Sequence, residues 1–148
     1  MNTERRIALV GCVKTKRSGV HPARDLYVSP LFLRRRAFVE AARLPWFILS
    51  AKHGLVAPEA ELRKYEMTLN TMSAADRRAW GARVLGQLRE QLGDLDGLTF
   101  EFHAGARYVE ALEQGLGEAG ARIDVPTEGL TMGRQLAWYT EHTRKAER

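Results

Sequence analysis

Residues 11–18, with the sequence GCVKTKRS, place a cysteine directly after a short apolar run and two lysines within four residues of it. Nearby ammonium groups favour the thiolate form of a cysteine, and the thiolate is the nucleophilic form. Cys12 is therefore a candidate catalytic residue, and Lys14 and Lys16 are candidate substrate-binding residues for a phosphate. The alternative is a small buried side chain that ends a strand, followed by two solvated lysines.

A second group of polar residues follows the most apolar segment, in ILSAKHGLVAPEAELRKY at 48–65. His53 is a candidate general acid or base because imidazole titrates near neutrality, and Lys52 beside it would hold an anion. Ser50 lacks a GxSxG context and is assigned to substrate binding, together with Tyr65, whose ring could stack on a base. Each of these is also explained as a loop residue that hydrogen-bonds the backbone.

A third candidate is HAGARY at 103–108, where Gly105 separates a predicted strand from a predicted helix. Backbone amides at such a helix start bind anions, and glycine permits close approach. Gly105 and Tyr108 are therefore assigned to substrate binding, with an ordinary tight turn as the alternative. Neither GxxxxGK[ST] nor GxGxxG is present, which argues against a conventional nucleotide-cradling loop.

The elements that position these residues alternate along the chain. Apolar runs predict four strands, and capping and apolar periodicity predict four main helices. The strands are expected at 5–12, 45–51, 98–105 and 122–126, and the helices at 29–44, 73–95, 106–120 and 130–148. This order predicts an α/β domain with a mainly parallel four-stranded sheet flanked by helices. Ligands bind such sheets beyond the carboxyl ends of the strands, where the candidates fall.

Length and composition restrict the class of protein. A chain of 148 residues is expected to form a single domain, 1–148, and its apolar stretches are too short to cross a bilayer. The N-terminus lacks a secretory pattern, and one cysteine allows no internal disulfide, so a cytoplasmic protein is expected. The four histidines and the cysteine are too scattered to predict a structural zinc site.

The positive charge is concentrated in the first third of the chain. Residues 1–53 contain 11 lysines and arginines against 3 acids, whereas residues 54–148 contain 12 against 15. This asymmetry predicts a surface patch that attracts phosphate, or more simply a solvated face.

Several blocks together resemble a family of small bacterial and phage proteins of unknown function over nearly the whole chain: CVKTK…HPARDLYVSPLF, WFILSAKHGLVAPE, HAGARY and GLTMGRQLAW. The second block is also similar to the LSGLYGLL-type segment of the YaaA peroxide-stress proteins, which bind DNA. Cys12 followed by Lys16 is similar to the Cys-x3-Lys motif of archaeosine synthase, which modifies a 7-deazaguanine base in tRNA. The chain is much shorter than either, and it lacks the KPY of the archaeosine motif.

The resemblance implies a Rossmann-like three-layer sandwich that handles a nucleotide or a nucleic-acid base. The expected function is an enzyme that acts on such a substrate by base modification or N-glycosidic chemistry, with Cys12, Lys16, Lys52 and His53 in its pocket. One alternative is a non-catalytic DNA- or RNA-binding stress protein that uses the basic face of residues 13–36. A weaker alternative is a nucleotide sensor that signals to a partner.

Overall fold

The computed structural model describes residues 5–11 and 16–148. In these ranges the strands are β1 (Arg6–Gly11), β2 (Val20–Pro22), β3 (Trp46–Ser50), β4 (Gly54–Val56), β5 (Glu61–Arg63), β6 (Thr99–His103) and β7 (Arg122–Asp124). The α-helices are α1 (Ala23–Leu26), α2 (Pro30–Ala41), α3 (Ala74–Leu92), α4 (Ala106–Glu118) and α5 (Met132–Ala146), with a 3-10 turn at Leu69–Thr71. Two candidate site residues, Cys12 and Lys14, lie outside the described residues.

The main sheet has the strand order β4-β3-β1-β6-β7. Strands β1, β3, β6 and β7 run parallel, and β4 pairs antiparallel with β3. The prediction of a mixed α/β fold with a mainly parallel sheet is confirmed. The prediction of four strands is wrong, because the sheet has five.

The fifth strand, β4, forms from residues that the sequence suggested were an irregular loop. It turns back onto β3 so that Ser50 pairs with Gly54 and Ile48 with Val56, with a three-residue turn between the strands. Gly54 has φ +75°, a conformation that glycine adopts without strain and that is common at the end of three-residue hairpin turns. A second short pairing joins β2 to β5 as a separate two-stranded sheet. Three-residue strands carry too little alternation to be recognised in a sequence.

The four predicted main helices are present, and a serine hydroxyl caps the first turn of two of them. The Ser29 hydroxyl accepts from the amide of Phe32 at 3.2 Å, with Pro30 at the first helical position of α2. The Ser73 hydroxyl accepts from the amide of Asp76 at 3.1 Å at the start of α3. Such caps satisfy amide groups that have no partner within the helix.

The core lies on both faces of β1. Ile7 and Leu9 pack with the apolar faces of α3 and α4, whereas Ala8 and Val10 pack with α2. Helix α5 packs against α2. Within the described residues, no helix is long and apolar enough to cross a membrane.

Candidate functional site

A cleft of about 820 Å³ lies beyond the carboxyl ends of β1 and β6. Strand β3 lies on one side of β1 and β6 on the other, so the strand order reverses here. Open parallel sheets bind ligands at such a reversal. The cleft is lined by Lys16, Leu31, Arg35, Glu66, Met67, Thr68, Asn70, Thr71, Gly105, Ala106, Arg107, Tyr108, Met132 and Gln135.

The N-terminal parts of three helices contribute to this cleft. Arg35 comes from the second turn of α2, Arg107 from the first turn of α4, and Gln135 from the first turn of α5. The N-terminal end of a helix carries partial positive charge. Helices α2 and α5 begin with a capping hydroxyl, whereas the N-cap of α4 is Gly105, which has no side chain to cap the helix. The cleft therefore favours an anion.

Ionisable side chains strengthen that preference. Three of the lining residues are cations, namely Lys16, Arg35 and Arg107, and Glu66 is an acid. Arg35 is only 3% exposed. A guanidinium that is shielded from water interacts with an anion more strongly than one at the surface.

Lys16 is positioned by the segment that precedes α2. It forms an isolated antiparallel bridge with Tyr27, and the amide of Arg17 donates to the carbonyl of Leu26 at 2.7 Å. The Lys16 ammonium lies 4.5 Å from the centroid of the Tyr65 ring and 5.9 Å from that of Tyr27. Aromatic faces attract cations at these distances, so the two tyrosines hold Lys16 at the wall of the cleft.

Ser50 and Tyr65 form a buried cluster behind Lys16 and do not line the cleft. The Ser50 hydroxyl donates to the Tyr65 hydroxyl at 2.7 Å and accepts from the amide of His53 at 3.0 Å. The indole of Trp80 donates to the Ser50 carbonyl at 2.9 Å. Ser50 thus joins the end of β3 to the hairpin turn and to α3.

The ring of His53 meets the Tyr65 ring edge to face, with 5.3 Å between centroids. Partial burial lowers the pKa of His53, and the charges of Lys52 and Arg83 lower it further. Lys52 is exposed on the turn, where its carbonyl accepts from the Arg83 guanidinium at 2.8 Å. The neutral imidazole that results is the form able to accept a proton.

The predicted site residues therefore fall into three groups. Lys16, Gly105 and Tyr108 line one cleft, as their positions after strands predict. The cluster of Ser50, His53 and Tyr65 contacts that cleft through Lys16, while Lys52 lies on the exposed turn. The positions of Cys12 and Lys14 lie outside the described residues.

Arg35 and Gln135 were missed as cleft residues. Residues 34–36 are three consecutive arginines on a helix, and they spread over about 200° of its surface. That spread indicates that they cannot all share one ligand, but it does not show which of them faces inward. Among the described residues, no three histidine, cysteine, aspartate or glutamate side chains gather as metal ligands.

The fold and the site together define an α/β protein with a cationic cleft at the carboxyl edge of a mainly parallel sheet. The chain belongs to a family of unknown function, DUF6884, whose model matches residues 7–141. No curated protein matches the chain significantly. The family match agrees with the predicted membership in a family of unknown function. The similarities to YaaA proteins and to archaeosine synthase stay predictions.

Proposed function

We propose that the cleft binds a nucleotide or a nucleic-acid base and that the protein is an enzyme acting on it. The observation that carries this proposal is that Lys16, Gly105 and Tyr108 line a single cleft where the strand order reverses. Its volume of about 820 Å³ lies within the range of small-molecule sites. The Rossmann-like layering implied by the resemblance is part of the same proposal.

The lining of the cleft suits a ligand with one anionic part and one apolar part. Lys16, Arg107 and the uncapped start of α4 would bind phosphate. Met67 and Met132 line the same cleft and are 46% and 58% exposed, which leaves apolar surface for a base. The Tyr108 ring is held at the cleft by an edge contact with Trp80, with 5.4 Å between centroids.

The chemistry is assigned to Cys12, Lys52 and His53. Cys12 directly follows the last residue of β1, Gly11. As a thiolate it would serve as the nucleophile in base modification or N-glycosidic chemistry. His53 does not line the cleft, so it would serve as the base for a substrate that extends past Lys16 towards the hairpin turn. The reaction class follows from the resemblance and not from the geometry of the cleft.

Binding of DNA or RNA without catalysis is the second candidate, and the charge asymmetry favours it. Arg17, Arg34 and Arg43 are exposed in the basic third of the chain. Arg36 instead pairs with Asp25 at 2.8 Å and with Glu40 at 3.2 Å, so the basic face is weaker than the sequence suggests. Fluorescence anisotropy with single-stranded DNA and RNA tests it, since phosphate contacts are strongest at low salt. No binding at about 50 mM salt would eliminate this candidate.

The proposed site is tested by titrating the protein with the four ribonucleoside 5′-monophosphates and following affinity by calorimetry. We expect Lys16→Ala to weaken binding about tenfold, as loss of one charge-assisted contact would. The matched control is Lys64→Ala, which removes the same charge from an exposed residue outside the cleft. Equal affinities for the two variants, or no binding by the wild type, would contradict the proposal.

A further inference from the structure

The three consecutive arginines of α2 point in different directions. Arg34 reaches α5, where it donates to the Leu136 carbonyl at 3.4 Å and to the Thr140 hydroxyl. Arg36 pairs with Asp25 on the other side. Arg35 lies between these directions, is 3% exposed, and lines the cleft.

Arg35 is held by two neutral groups of α5. Its Nη2 donates to Gln135 Oε1 at 3.3 Å, and Gln135 is itself held because its Nε2 donates to the Leu130 carbonyl at 3.0 Å. The Arg35 side chain also hydrogen-bonds the hydroxyl of Tyr139, which is fully buried. These two partners orient the guanidinium at the wall of the cleft.

Tyr139 is in turn fixed by two buried residues of β6. Its hydroxyl lies 2.8 Å from His103 Nδ1, and His103 Nε2 lies 2.8 Å from Glu101 Oε1. Glu101 Oε2 accepts from the Arg6 guanidinium at 2.8 Å. His103 has no exposed surface and Glu101 only 6%. We call Glu101, His103 and Tyr139 the positioning network.

The hydrogen bonds of this network form a continuous chain from Arg6 to Arg35. Burial raises the pKa of Glu101, but the bonds and charges of His103 and Arg6 outweigh it and hold the pKa below its usual value. The carboxylate therefore accepts from His103 Nε2–H, and His103 Nδ1 hydrogen-bonds the Tyr139 hydroxyl. The Tyr139 oxygen also accepts from the Arg35 side chain.

We infer that Arg35 binds the phosphate group of the ligand in the cleft and that the positioning network orients its guanidinium for this purpose. The inference rests on the proposed function, which it deepens by naming the residue that binds the phosphate. A guanidinium held in a fixed direction binds two phosphate oxygens in a fork, and it loses little conformational entropy in doing so. Lys16 and the start of α4 line the same cleft and would bind the remaining oxygens.

The test compares ligands that have a phosphate with ligands that lack one. Wild type, Arg35→Met and Arg35→Lys are titrated with the four ribonucleoside 5′-monophosphates, with the matching nucleosides, and with inorganic pyrophosphate. We expect Arg35→Met to lower the affinity for monophosphates and pyrophosphate at least tenfold and the affinity for nucleosides less than twofold. Arg35→Lys, which keeps the charge but not the fork, should fall between. Arg34→Met is the matched control and should match wild type, because Arg34 lies outside the cleft.

Failure of this inference and failure of the proposed function give different results. If Arg35→Met and Arg35→Lys bind monophosphates and pyrophosphate as wild type does, Arg35 does not bind phosphate and the proposed function stands. If wild type binds pyrophosphate through Arg35 but no monophosphate, the anion site stands and the proposed function is wrong. If wild type binds neither, both are wrong.

Tyr139→Phe tests the positioning network, since it removes one hydroxyl and keeps the packing. A positioning role predicts that the variant loses severalfold more affinity for monophosphates than for the matching nucleosides. An equal loss of affinity for both kinds of ligand, or no loss for either, would show that Tyr139 contributes only to stability. Thermal melting of each variant shows whether it folds.

Discussion

The hydroxyl groups of Tyr27 and Tyr65 lie 2.6 Å apart, and the Ser50 hydroxyl lies 2.7 Å from that of Tyr65. All three side chains are buried. The contact links the segment before α2 to the end of β3. Because Lys16 lies over the two tyrosine rings, this buried hydroxyl chain also supports one wall of the cleft.

Replacing Tyr65 by Phe should lower the free energy of unfolding by about 1–3 kcal/mol, because the buried hydroxyls of Ser50 and Tyr27 both lose a partner. Tyr27→Phe should cost less, since Tyr65 keeps its contact with Ser50. Urea denaturation of both single variants and the double variant measures the coupling, and the double variant should lose less than the two single losses combined. Wild-type stability in Tyr65→Phe would contradict this account.

The side chains of the hairpin turn should contribute little to stability. Lys52→Ala and His53→Ala are each expected to change the free energy of unfolding by less than about 0.5 kcal/mol. Gln87→Ala should cost about 1–3 kcal/mol, because Gln87 accepts from the Leu55 amide at 2.9 Å and donates to the His53 carbonyl at 3.3 Å.

Gln91→Ala is the matched control for that comparison, since Gln91 is exposed on the same helix. If Lys52→Ala or His53→Ala destabilised the protein as much as Gln87→Ala, the turn residues would be structural and their assignment to catalysis would be wrong.

His53 should titrate below its usual pKa of 6.5, because burial and the neighbouring cations disfavour its charged form. NMR titration of the imidazole should show that pKa rising in Lys52→Ala and in Arg83→Ala. Lys64→Ala should leave it unchanged. Below pH 6.5 the unfolded chain takes up this proton more readily than the folded protein, so His53 lowers the free energy of unfolding there, and it has no such effect above that pH. A pKa at or above 6.5 would contradict this account of how burial and the neighbouring cations act on His53.

Glu101 should make stability depend on acid pH. Its pKa in the folded protein lies below the ordinary value of 4.5, so its contribution is present above that pH and is lost as the pH falls through the folded pKa. Urea denaturation between pH 3 and 7 should give a shallower dependence for Glu101→Gln than for wild type. Glu110→Gln, at an exposed ion pair with Arg107, should keep the wild-type slope. Parallel slopes for wild type and Glu101→Gln would show that Glu101 is not held as a carboxylate.

The long elements could be predicted from the sequence because their signals are local. Ser29 and Ser73 mark helix starts within three residues of the amides they cap, and continuous apolar runs mark the buried parallel strands. Strand β4 could not be predicted in this way. It has three residues, and its pairing depends on the φ of Gly54 and on contacts with Gln87 more than 30 residues away.

The candidate site also contains residues that could be predicted from the sequence and residues that could not. Lys16, Gly105 and Tyr108 could be placed together because the ends of parallel strands meet at one edge. Arg35 could not, because its inward direction depends on Gln135 and Tyr139, about 100 residues later in the chain. Nothing in the sequence near Arg35 distinguishes it from Arg34 or Arg36.

The contact of Gln87 with β4 also determines how the sheet can meet other chains. Strand β4 lies at the edge of the sheet, where free amides and carbonyls would pair with a strand from another molecule. The side-chain amide of Gln87 accepts from the Leu55 amide and donates to the His53 carbonyl. These two backbone groups therefore already have the hydrogen bonds that a neighbouring strand would make. The hairpin edge is thereby protected against β-strand addition by a single side chain of α3.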